Sequence, residues 1–73
     1  MCRSIKPLRE SAEIGPPEDI EAAARQFVRK VSGFSKPSQA NQAAFDQAVA
    51  EISAATDRLL RGLTIAGKPM VAR

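Results

Sequence analysis

Lys30-Val31-Ser32-Gly33-Phe34-Ser35-Lys36-Pro37-Ser38 reads as the end of one helix, a turn and the start of another. Gly33 follows Val31, the last periodic apolar residue of the segment before it. A helix that closes in the left-handed conformation takes glycine there. Arg29 and Lys30 put positive charge at the negative end of the helix dipole. Pro37 cannot extend the first helix and holds Lys36 in extended geometry. Ser38 stands at the N-cap of the next helix, its hydroxyl set to accept from a backbone N–H, and Asn41 can reach back as the Glu of a capping box does. The stretch predicts a turn of about four to six residues between two antiparallel helices.

Working outward, the first helix is expected over about 18–32. Gly15-Pro16-Pro17 breaks the chain and then starts a helix, with Glu18, Asp19 and Glu21 suited to its positive end. Its apolar stripe is Ile20, Ala24, Phe27, Val28 and Val31, while Glu21, Arg25 and Arg29 share the opposite face. The second helix is expected over about 39–61, with the stripe Phe45, Ala48, Val49, Ile52, Ala55, Leu59 and Leu63. Thr56 on that face is accommodated by bonding back to a carbonyl one turn earlier. Asp57 and Arg61 form an i,i+4 pair, and Gly62 is the natural terminator.

The two helices differ in length, at roughly 22 Å and 35 Å for 1.5 Å per residue. The C-terminal part of the longer one, with Ile52, Thr56, Leu59 and Leu60, therefore needs an apolar cover. The N-terminal arm, through Ile5, Leu8 and Ile14, enters from the right end to supply it, and a partner subunit is the other source. The expected fold is all-α: an antiparallel helical hairpin with an N-terminal arm packed on it. It forms one small domain over residues 1–63, followed by a flexible, extended tail over 64–73.

Composition removes several function classes. The chain has 73 residues, no Trp, Tyr or His, three Phe and one Cys. A single core is marginal at that size. One Cys and no His give neither a disulfide framework nor a zinc site of the usual kind. No apolar run approaches a membrane span, and the start lacks a signal-peptide core, so a cytoplasmic protein without a membrane partner is expected. Cys2, once exposed by removal of Met1, would have its thiolate favoured by the α-amino group and Arg3. No residue serves it as general base, however, and Asp46 and Glu51 make no convincing carboxylate pair. A non-catalytic protein is expected, with no cofactor, metal or small-molecule substrate.

The Met-Cys-Arg start and the segment RKVSGFSKPSQANQAAFDQAV resemble a family of short bacterial proteins, domain-of-unknown-function family twenty-two seventy-seven. The likeness covers about residues 1–63, with KVSG-x-x-KPS-x-AN as its most distinctive part, and it implies no activity or cofactor. Val31-Ser32-Gly33-Phe34-Ser35 is also similar to the turn of helix-hairpin-helix DNA binders, although Ser35 stands where that motif has its second glycine.

Two functions are left to weigh. The net charge is +3, and Arg25, Arg29, Lys30 and Lys36 lie in an acid-free run around the turn. With Gly33, Ser38 and the second helix's N-terminus they form a candidate phosphate-backbone site for nucleic acid. The plain structural account is that Arg29 and Lys30 complement a helix end and Ser38 caps. The alternative function is protein–protein interaction, including a homodimer that pairs two hairpins into four helices through the apolar face of the second helix. Ala40, Ala44, Ala48 and Ala55 would allow close helix approach there.

Overall fold

The computed structural model describes residues 6–72. Two helices dominate, α1 over Pro17–Ser32 and α2 over Gln42–Gly62, with a short 3-10 turn at Gln39–Asn41 leading into α2. The starts and stops follow local chemistry. Pro17 occupies the first helical position, where its missing N–H has no partner to lose. Asp19 N–H donates to the Pro16 carbonyl at 3.0 Å. At the far end Gly33 takes φ 79°, ψ 4°, and its N–H donates to the Arg29 carbonyl at 3.1 Å. Helix α2 ends at Gly62 without a left-handed residue: Leu63 is extended, and its N–H reaches the Leu60 carbonyl at 3.4 Å.

The all-α expectation is corrected by five two-residue strands in two small sheets. Strands β1 (Arg9–Glu10) and β2 (Glu13–Ile14) pair antiparallel, and β5 (Val71–Ala72) joins β2 in parallel, with Glu13 opposite Val71 and Ile14 opposite Ala72. Strands β3 (Thr64–Ile65) and β4 (Lys68–Pro69) form a separate hairpin. Two residues are too few to show the period-two alternation by which a strand is read. The β2–β5 pair moreover joins segments from opposite ends of the chain. The segment read as a tail thus carries three of the strands.

The core divides in two along the hairpin. Near the turn Ala24 and Val28 of α1 pack against Phe45 and Val49 of α2, flanked by Ala48 and Ile52. At the other end Ile14, Ile20 and Leu60 form a second cluster, with Leu8, Leu63 and Met70 against it. This second cluster covers Leu60 at the end of the longer helix, while Leu59 beside it stays exposed: Leu8 and Ile14 come from the arm, and Met70 comes from the C-terminal segment. Ile14 meets Ile20, the fourth residue of α1, and so staples the chain's entry into that helix. Thr56 Oγ1 donates to the Ile52 carbonyl at 2.7 Å, and Arg61 Nε holds Asp57 at 2.9 Å. No helix among the described residues is long and apolar enough to cross a membrane.

Candidate functional site

The turn is held by its own polar groups. Phe34 N–H donates to Ser32 Oγ at 3.2 Å, just past the left-handed Gly33. Ser38 is extended (φ −69°, ψ 161°) and opens the 3-10 turn. Its carbonyl accepts from Asn41 N–H at 2.9 Å, and its hydroxyl accepts from Asn41 Nδ2, also at 2.9 Å. The expected cap, hydroxyl to backbone N–H, is therefore not the one formed. Asn41 does reach back, but it takes the hydroxyl itself, because the intervening 3-10 turn tightens the chain around it.

The basic residues of the sequence-derived site divide between two places. Lys30, Gly33, Lys36 and Ser38 belong to the turn end of the hairpin and are exposed. Arg25 lies further back on α1, with its Nη2 3.9 Å from Glu21 Oε2. Arg29 is one turn on from Arg25 and lines a shallow cleft with Lys6, Asp19 and Gln26. Consecutive helical residues diverge by about 100°, so Arg29 and Lys30 address different sides of α1. Lys6 Nζ lies 4.0 Å from Asp19 Oδ2 at the rim of the same cleft.

The turn end also carries an apolar surface to which α1 contributes beside the expected face of α2. A groove of about 280 Å³ runs between the end of α1 and the start of α2, lined by Val28, Val31 and Phe34 on one side and Ala44, Phe45, Ala48 and Ile52 on the other. Val31 is 66% exposed, Phe27 44% and Phe34 38%. Phe27 and Val31 are expected from the α1 stripe to be core residues, but only the row Ile20, Ala24, Val28 is buried. One partner helix covers one row at four-residue steps, and the row Phe27–Val31 beside it is left to solvent. The width of the stripe, five apolar positions for one neighbour, was the signal available. On α2 the same face continues from Ile52 through Ala55 to Leu59, which is 60% exposed. The uncovered apolar surface is thus on one side of the hairpin, and Leu60 at its end is buried.

Metal chemistry finds no cluster of three or more Cys, Asp or Glu side chains among the described residues. The Cys2 reading, with Arg3 and Ile5, lies outside those residues. The model of a family described as "Uncharacterized conserved protein (DUF2277)" matches residues 1–73, and so extends through the C-terminal segment as well as the hairpin. No curated protein and no solved structure matches the chain.

Proposed function

We propose that the chain, which belongs to the DUF2277 family of uncharacterised conserved proteins, is a non-catalytic protein-interaction module whose working surface is the apolar groove beside the inter-helix turn. The observation that carries this is Val31: a β-branched residue two-thirds exposed, in a groove shared with Phe34, Ala44 and Ile52. Exposed apolar side chains gathered in one groove, rather than scattered singly, are what suits a surface to interaction. A groove between two helices, floored by alanines and walled by Phe and Val, accepts the apolar face of a further helix. We place this activity in the cytoplasm.

The phosphate-binding reading has less support. Its cations are spread over two sides of α1, Arg25 faces Glu21, and the Ser38 hydroxyl is engaged by Asn41. The test is site-specific photocrosslinking in living cells. A photoreactive residue replaces Val31 or Phe34, with Ala54 on the exposed face of α2 as control. Polypeptide adducts from positions 31 and 34 but not from 54 are expected. Adducts sensitive to nuclease, or equal yields from all three positions, would overturn the proposal.

A further inference from the structure

We infer that the occupant of this groove is a second copy of the same chain, in a face-to-face dimer whose two-fold axis runs parallel to the hairpin; the inference rests on the groove being a protein-docking surface.

Three observations lead there. The first is the size of the core. Among the described residues only seven apolar side chains are buried, and none of them is larger than Phe45. Chains of this length are usually stabilised by a disulfide, a metal or association. A single Cys and the absence of His remove an internal disulfide and the usual zinc site. Association is the remaining device of that set, and a second copy supplies it without any other protein.

The second is area. Helix α2 is about 32 Å long at 1.5 Å per residue, and the molecule is 22 Å across. One side of the hairpin therefore offers on the order of 700 Å², near the roughly 800 Å² that each partner gives up in a stable complex. Val31, Phe34 and Ile52 line the groove on that side, and four-residue and seven-residue spacing carries the face on to Phe27 and Leu59.

The third is the distribution of large and small residues on that side. The exposed edge of α1 is bulky, with Phe27 and Val31, whereas the matching edge of α2 is small, with Ala44 and Ala48. The helices are antiparallel, and Ala24 and Val28 are level with Val49 and Phe45 in one buried cluster. By the same register Val31 falls level with Gln42, within a turn of Ala44 with which it shares the groove, and Phe27 falls level with Asp46, within a turn of Ala48. A two-fold axis parallel to the hairpin lays α1 of each copy across α2 of the other at the same level. Val31 and Phe27 of one copy then stand within a turn of Ala44 and Ala48 of its partner, and the reverse contact forms by symmetry. An axis across the hairpin would instead set α1 on α1 and α2 on α2, with bulk against bulk and alanine against alanine. The first arrangement fills space evenly, as interior packing demands. It also brings both turns to one end of the dimer, close to the axis.

The experiment is sedimentation equilibrium on the full chain, followed by oxidation of a Phe34→Cys variant carrying Cys2→Ser. Twice the chain mass at micromolar concentration is expected. Val31→Glu, at a position already exposed, should keep the helical circular dichroism of the parent and weaken pairing at least about tenfold. The two thiols introduced by Phe34→Cys, near the axis, should join into a covalent dimer under mild oxidation. A single chain mass up to millimolar concentration would overturn the inference, as would unweakened pairing in Val31→Glu. A dimer that resists the Phe34→Cys crosslink would overturn the axis assigned to it. Photocrosslinks from position 31 to a different polypeptide, on a monomeric chain, would reject the second copy while leaving the interaction reading intact.

Discussion

Glu13 stands opposite Val71 in parallel register, and the Val71 N–H donates to the Ala12 carbonyl at 2.9 Å. This contact ties the segment before α1 to the segment after α2. It sets Met70, the residue before Val71, against the cluster of Ile14, Ile20 and Leu60.

Met70→Ala should therefore destabilise the fold by about 1–2 kcal/mol, less than the roughly 2–5 kcal/mol for truncating a fully buried methionine, because Met70 is only half-buried. Urea unfolding measures the loss. Hydrogen exchange should show faster exchange at β2 and β5 than at the turn end. A chain stopped after Leu63 should show the same pattern more strongly, since it loses both Met70 and β5.

Gly33→Ala should cost about 1–2 kcal/mol, which for a domain of this size lowers Tm by roughly 4–8 °C per kcal/mol. Gly33 has φ 79°, and a Cβ there would meet nothing within 4 Å. The loss is thus one of backbone conformation, without a clash. Gly33→Asn, whose side chain tolerates the left-handed region, should recover part of it. Thermal melts of the three proteins decide the matter.

Ala66→Asn should stabilise the β3–β4 hairpin. Its two-residue loop is Ala66-Gly67, with φ 54° and 79°, so both loop residues are left-handed. Asn-Gly is the favoured pair in such loops, and an alanine there is strained. A gain of roughly 0.5–1 kcal/mol is expected, part of the roughly 1–3 kcal/mol that an ordinary residue costs in this region. Unchanged stability in a urea titration would count against the strain.

Ser53→Ala should be neutral or stabilising by up to about 1 kcal/mol. The Ser53 hydroxyl is buried without a hydrogen-bond partner on α2. Removing an unsatisfied polar atom recovers its desolvation cost, and alanine is the better helix former. Differential scanning calorimetry would register the shift, and a clear loss of stability would show that the hydroxyl has a partner in solution.

The parts of the fold legible in the sequence are those set by local chemistry. Gly33, Pro17, the Asp57–Arg61 pair and the Thr56 back-bond each follow from neighbours within four residues, and each is found. The need for a cover over the end of α2 is also legible, because it is a matter of length, and Leu8 and Ile14 meet it at Leu60 but not at Leu59. Met70 was not, since its place depends on a parallel pairing between distant two-residue strands. The site was less legible than the fold. Charge around the turn drew attention to Arg25, Arg29, Lys30 and Lys36, but sequence proximity does not fix which side of a helix a residue serves. The Phe27–Val31 row was absorbed into a core stripe because periodicity identifies an apolar face without saying how many neighbours it has.

The β2–β5 pairing has a consequence for biosynthesis. A chain made from its N-terminus can form the hairpin as soon as α2 has emerged, since all its contacts lie between residues already made. Strand β2 can pair with β1 early, but its other edge must wait for Val71 and Ala72, which lie beyond α2 in the chain. Ile14 meets Ile20 and Leu60 first, and its cluster is completed only when Met70 and β5 have followed α2 out of the ribosome.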